Sequence, residues 1–286
     1  MRKKVLKVPV IQIIQTLPVA KVYIFLYIGT MSARNDSKLN RLLSSQPAGV
    51  VLSSAWLTDK GYSLDLQKRY RKSGWFDSIG TGALVRHGDS VDYLGAIYSL
   101  QSQLGLSVHP AAKTALSLQG KAQYLELSTT TVQLFGGAND RLPQWFKNRD
   151  WGAKVAYQAS SFLPGDLGLI DLEHSTFTVK VSSPPRAVLE CLYLAPKSQQ
   201  LVEVFELMEG LNNLRPASVQ KLLEACTSVK VKRLFLYLAD KAGHGWFNYL
   251  KLDNVDLGSG KRALVKDGVY VAKYQITVPR ELESAV

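Results

Sequence analysis

The sequence predicts an α+β protein, because segments with helical and with strand-like periodicity alternate along its 286 residues. Apolar residues make up 46% and charged residues 20%, which is a composition typical of folded globular chains. The length is sufficient for two domains. No internal repeat or low-complexity linker interrupts the chain. We therefore expect a small N-terminal module followed by a larger mixed α+β domain.

Residues 1–30 contain an apolar stretch that superficially resembles a signal peptide or a membrane anchor. Prolines, glutamines and a lysine interrupt it, so no run approaches the roughly 20 apolar residues of a membrane-spanning helix. We expect no membrane association. Met31 opens a polar segment of the kind that commonly begins a cytoplasmic protein. Our hypothesis is that Met31 is the true start and that residues 1–30 are an over-extended reading frame or a disordered tail, which the intact mass of the native protein would test.

Three short helices are predicted next, over residues 37–46, 55–60 and 64–73. Gly61 separates the second helix from the third, and Ser63 stands where the side chain can cap the third helix. Two short helices joined by a glycine-containing turn are typical of a helix-turn-helix.

The third helix has the composition of a DNA recognition helix. Leu66 and Tyr70 lie four residues apart on one face, and four basic residues occupy the rest. Lysine and arginine neutralise phosphates, while residues near the N-terminus of a recognition helix reach base edges in the major groove. The candidates for base contacts are Ser63, Asp65, Gln67 and Lys68, and the candidates for backbone contacts are Arg69, Arg71 and Lys72.

Two predicted strands follow, over residues 75–79 and 83–86, around the turn Gly-Thr-Gly. This hairpin would be the wing of a winged helix-turn-helix. Arg86 lies at the end of the hairpin, where we expect it to contact a phosphate or the minor groove. His87 follows it and is equally compatible with a solvated side chain.

The formal net charge of +12 is concentrated near the N-terminus. Residues 1–30 hold five bases and no acid, and residues 31–90 hold nine bases against five acids. A polyanionic partner and a merely solubilising excess of lysine both account for this charge. Double-stranded DNA is the polyanion that the basic third helix favours.

The rest of the chain alternates helices with strands. We expect an N-terminal region over 31–126, with its winged-helix core at 36–90, and a C-terminal α+β domain over 127–286. Helices are expected over 90–105, 111–119, 186–194, 201–211, 217–226 and 229–239, and strands over 125–135, 169–172, 177–181 and 270–278.

Three constellations suggest enzymatic chemistry, and each lacks a required part. Residues 258–262 resemble the tail of a phosphate-binding loop without its first glycine and its hydroxyl. Asp171 and Lys180 resemble part of a nuclease core without the second carboxylate that a catalytic metal needs. His244 stands beside aromatic residues without a nucleophile at recognisable spacing. We expect no catalytic residue, no metal, no cofactor and therefore no enzyme.

Basic residues in the C-terminal half suggest a second surface, for nucleic acid or for a protein partner, although a solvated face accounts for them equally well. They are Lys230, Lys232, Arg233, Lys241, Lys261 and Arg262. The two cysteines, Cys191 and Cys226, lie in apolar helical stretches and are expected to be buried inert thiols, which fits the reducing cytoplasm.

From residue 36 onward the sequence resembles the AbiEi-type antitoxins of type IV toxin–antitoxin systems. The resemblance rests on stretches in both halves of the chain. They are residues 37–43 (SKLNRLL), 54–57 (SAWL), 67–75 (QKRYRKSGW), 79–83 (IGTGA), 109–120 (HPAAKTALSLQG), 182–190 (SSPPRAVLE), 256–262 (DLGSGKR) and 272–279 (AKYQITVP).

The resemblance implies a bacterial antitoxin and repressor that acts in abortive infection, a form of phage resistance. Its winged helix would bind inverted repeats in its own promoter. Its C-terminal part would counteract a nucleotidyltransferase-like toxin without forming a stable complex. Two alternatives remain: a stand-alone transcriptional regulator and, less compatible with the carboxylates present, a nuclease-like enzyme.

Overall fold

The computed structural model describes residues 37–121 and 131–284, so the expectations for residues 1–30 lie outside the described residues. The chain divides into two compact units, Met1–Pro47 and Ala48–Val286. In the described part of the first unit, helix α1 spans Lys38–Ser45, and the Ser37 side chain accepts a hydrogen bond from the Asn40 N–H at 3.2 Å. Both helices and strands build the second unit, which confirms the α+β class.

The second unit begins with a helix pair and a three-stranded antiparallel sheet. The strands lie in the order β1-β3-β2, so the hairpin β2–β3 places its second strand beside β1. The elements are β1 (Leu52–Ser53), α2 (Ser54–Asp59), α3 (Leu64–Lys72), β2 (Phe76–Gly80) and β3 (Ala83–Arg86). Their order agrees with the order predicted from the sequence.

Two further sheets follow. In one, β4 pairs antiparallel with β5, and β5 pairs parallel with β6; in the other, β7 and β8 form a hairpin. Strands β4 and β6 and helix α6 were not predicted. The elements are α4 (Tyr93–Ser102), β4 (His109–Pro110), α5 (Ala112–Leu118), β5 (Thr131–Gly136), α6 (Gln144–Lys147), β6 (Lys154–Ala159), β7 (Leu169–His174) and β8 (Phe177–Ser182).

Helix α4, which follows the β2–β3 hairpin, is hydrogen-bonded to the later strand β8. The Gln101 side-chain amide donates to the Lys180 carbonyl and accepts from the Lys180 N–H, both at 2.9 Å. Because both bonds use backbone groups of β8, α4 continues the hydrogen bonding of that strand. Elements on either side of residue 126 therefore pack within one compact unit.

Four helices form the core of the second unit. They are α7 (Pro184–Leu194), α8 (Leu201–Glu209), α9 (Pro216–Ala225) and α10 (Val229–Lys241). Residues 185–192 of α7 and 231–239 of α10 are buried without interruption, so these two helices are enclosed on all sides.

The chain ends in a small three-stranded sheet with short helices. It contains 3₁₀ helices at Gly245–Tyr249, Leu252–Asn254 and Ala272–Tyr274, strands β9 (Arg262–Ala263), β10 (Val269–Val271) and β11 (Ile276–Val278), and helix α11 (Arg280–Ser284).

The single strand expected over residues 270–278 is wrong. The chain reverses within it, so that β10 pairs antiparallel with β11, with Val271 opposite Ile276. Gln275 adopts a left-handed conformation at φ 51°, which makes this reversal. Periodicity alone did not indicate it, because strand-forming residues stand on both sides of the turn.

None of the described helices combines the length and apolarity that crossing a bilayer requires.

Candidate nucleic-acid interface

The side chain of Gln67 fixes the angle between α2 and α3. Its amide group accepts from the Ser54 hydroxyl at 2.5 Å and donates to the carbonyls of Ser54 and Tyr62 at 3.2 and 2.7 Å. It also donates to the Thr58 hydroxyl at 3.2 Å. These bonds join the start of α2, its last turn and the connecting turn to the middle of α3.

The prediction that Gln67 contacts a base is wrong. The residue is only 4% exposed, and its amide is fully engaged within the helix pair. The residue type was consistent with base readout, but its position four residues after Ser63 turns the side chain inward. Gln67 instead determines how α3 is presented.

Apolar contacts also hold the inward face of α3. Leu57, Phe76 and Leu84 are buried, and the Tyr70 ring lies 6.0 Å from the Phe76 ring. Burial raises the pKa of the Tyr70 hydroxyl, and the neighbouring Tyr62 adds to this effect. The inward side of α3 is thus fixed, and its other residues face outward.

Four cations of α3 are exposed: Lys68, Arg69, Arg71 and Lys72. Lys68 and Arg71 line a cleft of about 400 Å³ between α3 and the turn of the β2–β3 hairpin, whereas Arg69 and Lys72 lie outside it. Arg69, Arg71 and Lys72 belong to the last turn of α3, where positive charge also favours the helix dipole.

Two predicted positions, Ser63 and Asp65, lie at the N-terminal end of α3, where base contacts were expected. Ser63 caps the helix, accepting from the Leu66 N–H at 3.4 Å, and Asp65 is exposed in the first turn and lines the cleft. A carboxylate here stabilises the helix dipole but repels phosphates. Of the candidates for base contacts, only Asp65 and Lys68 keep side chains that are free to reach a base edge.

Leu64 is an exposed residue that the sequence analysis missed. Its side chain is 66% exposed at the first position of α3 and lines the same cleft. An apolar side chain at this place suits contact with a thymine methyl group. The sequence places Leu64 one residue after the helix cap, and that position was the available indication. Periodicity alone assigns such an apolar residue to the buried face of the helix.

The turn of the hairpin is held in place by α6. A Cβ on Gly80 would lie 3.2 Å from the Trp145 Cβ and 3.3 Å from its Cα, and Gly80 has φ +149°. Both the backbone angle and the space therefore require glycine. The hairpin turn is packed against a buried tryptophan and keeps a defined position relative to α3.

Arg86 and His87 lie at the base of the hairpin and not at its tip. Arg86 is half-buried and stands opposite Phe76, and His87 Nδ1 lies 3.0 Å from Asp77 Oδ2 with both side chains more than half exposed. The tip itself carries Thr81 and no base. Any phosphate contact by Arg86 would thus come from the base of the hairpin.

Arg233 was expected on a basic surface, and this prediction is wrong. The residue is 2% exposed, and its guanidinium donates to four carbonyls, those of Leu257, Gly258, Gly260 and Gln275, at 2.6 to 3.1 Å. Because α10 is enclosed on all sides, its basic residues extend through the core to reach carbonyl groups. Arg233 therefore fixes the loop that precedes β9.

The other predicted bases do not form one surface with Arg233. Lys232 is also buried, and Lys230 donates to the carbonyls of Tyr193 and Ala195 at 2.9 and 2.6 Å. Burial lowers the pKa of Lys230, and the nearby Lys197 adds to this. Lys241 donates to the Glu283 carbonyl at 3.3 Å. Only Lys261 and Arg262 remain exposed in this set.

A buried ionic cluster lies at the junction of β4, β8 and α7. Glu190 Oε1 accepts from Arg186 Nε at 2.9 Å and from His109 Nε2 at 3.1 Å. Glu190 Oε2 accepts from the Ser182 hydroxyl at 2.7 Å and the Ala112 N–H at 3.0 Å. The side chains of Glu190, Arg186, His109 and Ser182 are all buried.

His109 directs both ring nitrogens at acceptors in this cluster. Its Nδ1 lies 2.7 Å from the Ser107 carbonyl, which can only accept, and its Nε2 faces the Glu190 carboxylate. Burial by itself raises the pKa of the Glu190 carboxyl. The hydrogen bond and charge of His109, the charge of Arg186 and the Ser182 hydroxyl outweigh it, so the pKa lies below its ordinary value.

The constellations that suggested enzymatic chemistry have structural roles. Lys180 and Asp171 are cross-strand neighbours joined by an exposed ion pair at 2.8 Å. His244 donates to the Met208 carbonyl through Nε2 at 2.7 Å, and its ring stacks on Trp246. Within residues 37–121 and 131–284, no three histidine, cysteine or carboxylate side chains are grouped as metal ligands would be.

Comparison with protein-family models gives two matches that together cover most of the chain. A model described as "Transcriptional regulator, AbiEi antitoxin N-terminal domain" matches residues 35–127. A model described as "Transcriptional regulator, AbiEi antitoxin, Type IV TA system" matches residues 129–279. The chain belongs to the AbiEi family. It is thus an antitoxin and transcriptional regulator of the type IV class.

No curated protein matches this AbiEi chain. Among solved structures, it is similar to the crystal structure of the RV2827C protein from Mycobacterium tuberculosis, with 15% sequence identity and a TM-score of 0.52. The match covers 79% of this chain and 85% of that chain. At this identity the similarity concerns the fold alone.

Three of the stretches on which the AbiEi resemblance was based prove to be structural. Residues 109–120 and 182–190 supply His109, Ser182, Arg186 and Glu190 of the buried cluster. Residues 256–262 contain carbonyls that Arg233 holds. They determine how the scaffold is built.

Proposed function

We propose that this AbiEi protein represses its own operon by binding double-stranded DNA through residues 54–86, arranged as a winged helix. The observation that carries the proposal is the open cleft between α3 and the hairpin turn, with Lys68 and Arg71 on the helix side. In a winged helix, the recognition helix enters the major groove and the wing follows the adjacent backbone. Gln67 holds α3 and Trp145 holds the hairpin turn, so we expect both elements to contact DNA without rearrangement.

We further propose that two molecules occupy an inverted repeat in the promoter, since helix-turn-helix proteins usually bind paired half-sites. The C-terminal part, from residue 127, would counteract a nucleotidyltransferase-like toxin in the bacterial cytoplasm without a stable complex and without catalysis of its own. Rescue of growth by the full chain, when the toxin gene is co-expressed, is the expected result. A chain that represses but does not rescue would support the stand-alone regulator instead.

Gel shifts with the operon's own promoter test DNA binding. We expect Lys68→Ala plus Arg71→Ala to weaken binding by about 1–3 kcal/mol per base-contacting residue, and to lower the salt slope by roughly 0.9 per lost phosphate contact. Arg69→Ala plus Lys72→Ala should reduce the salt slope with little change in sequence preference, since these residues lie outside the cleft.

Lys251→Ala plus Lys266→Ala is the matched control, because it removes the same charge from exposed positions away from α3. Equal weakening by the control pair and by the cleft pair would mean that only net charge matters. That outcome would remove α3 from the mechanism.

A further inference from the structure

A second cleft, of about 610 Å³, lies on the C-terminal side of the second unit, away from α3. It opens between the start of β7, the start of α7, and α9 with the loop before it. Its volume is within the range of clefts that hold small-molecule ligands, roughly 300–1,000 Å³. Neither DNA binding by α3 nor the buried cluster uses this space.

Three cations surround the cleft: Lys121, Arg215 and Lys221. All three are exposed, and no carboxylate lines the cleft within residues 37–121 and 131–284. Among the described residues, none of their side chains forms an ion pair or a hydrogen bond, whereas Lys113 pairs with Glu203 and Lys180 with Asp171. The described residues around the cleft therefore leave its positive charge without a paired carboxylate.

The remaining lining is of two kinds. Ser183, Ser218 and Asn213 offer neutral hydrogen-bonding groups, and the Ser183 hydroxyl does not cap α7. Leu167, Leu169 and Ile170 form part of an aliphatic wall that is accessible from the cleft. A ligand that matches this lining combines several negative charges with an apolar body and hydroxyl groups.

We propose that this cleft binds a nucleoside di- or triphosphate. The polyphosphate would lie against Arg215 and Lys221, and the nucleoside would lie along the aliphatic wall, within reach of the serine hydroxyls. A simple anion such as inorganic phosphate would make no contact with the aliphatic wall. An aliphatic acid carries too little negative charge to pair with three cations. This inference is independent of the proposed DNA binding, because the cleft shares no residue with the one beside α3.

Isothermal titration calorimetry of the full chain with GTP, ATP and inorganic tripolyphosphate tests the proposal. We expect one nucleoside triphosphate per chain, bound more tightly than tripolyphosphate. Arg215→Ala plus Lys221→Ala should weaken binding about tenfold or more, since two charge-assisted hydrogen-bond donors are lost. Ser218→Trp should abolish binding by filling the cleft while the cations remain.

Lys147→Ala plus Lys266→Ala, which removes exposed cations elsewhere, should leave the affinity unchanged. Circular dichroism should show an unaltered fold for every variant, because the substituted residues are exposed. Absence of binding, equal loss in the control pair, or tripolyphosphate bound as tightly as the nucleotides would each overturn the proposal. So would an RNA oligonucleotide that binds in the cleft and that GTP does not displace.

Discussion

Replacing Glu190 by glutamine should be among the most destabilising single changes in this protein. The substitution keeps the shape of the side chain but removes the negative charge that faces the buried Arg186 guanidinium and the buried His109 ring. Whichever way the glutamine amide is turned, its NH₂ group faces donors, either those of Ser182 and Ala112 or those of Arg186 and His109. All of these groups lie where water cannot replace the lost bonds.

The magnitude follows from the burial of the cluster. Removing one partner of a buried ion pair costs about 3–5 kcal/mol, because the remaining charge is left uncompensated. Whole proteins are stable by only about 5–15 kcal/mol, so the variant should be close to its unfolding limit at physiological temperature. Urea unfolding followed by far-ultraviolet circular dichroism measures the difference in the free energy of unfolding.

Asp171→Asn is the matched control. Asp171 also pairs with a cation, Lys180, at 2.8 Å, but the two side chains are 62% and 54% exposed. Exposed pairs contribute at most about 1 kcal/mol. If Glu190→Gln lost no more stability than Asp171→Asn, the reasoning about the buried cluster would be refuted.

The pH dependence gives an independent test of the same cluster. The pKa of Glu190 is lower in the folded state than the ordinary value of 4.5, so its ionised form stabilises the fold at neutral pH. That contribution decreases as the pH falls below 4.5 and is lost once the pH passes the folded-state pKa. The wild-type chain should therefore lose more stability on acidification than Glu190→Gln, and parallel pH profiles would contradict this assignment.

Three further experiments test other parts of the structure. Gln67→Ala should lower the free energy of unfolding by about 2–3 kcal/mol, because it leaves buried polar groups of the helix pair unpaired. It should also weaken promoter binding, although the Gln67 side chain faces the interior of the helix pair. Urea unfolding and gel shifts measure these two effects, and unchanged values of both would disprove the role. Gly80→Val should lower promoter affinity by displacing the hairpin turn from Trp145, while Thr81→Val at the exposed tip should leave the fold intact. Cys191 should react slowly with iodoacetamide until the chain is unfolded, because burial raises the pKa of its thiol; rapid alkylation of the folded chain would show that it is accessible.

Local patterns in the sequence were sufficient for the helix pair and the hairpin. Ser63 as a cap, Gly61 at the turn and the glycines around Thr81 determine short-range backbone geometry, which depends on neighbouring residues alone. The exposed cations of α3 followed from the same local periodicity.

What the tertiary structure decided is the direction and the partners of long polar side chains. Gln67 and Lys68 are adjacent in the sequence, yet the side chain of Gln67 is buried in a hydrogen-bond network and that of Lys68 is exposed. Arg233 and Arg262 look equally suited to a surface, but only Arg262 is exposed. Burial depends on which elements pack around a residue, and no local pattern contains that information.

The sequence by itself therefore determined the α+β class, the order of the N-terminal elements and, through resemblance, the AbiEi family. Only the tertiary structure brought His109 and Glu190, which are 81 residues apart, into one buried cluster, and assembled the basic cleft around Arg215 from distant segments. The physical reason is the range of the interactions: capping and periodicity act within a few residues, whereas buried charges and clefts exist only where distant segments meet.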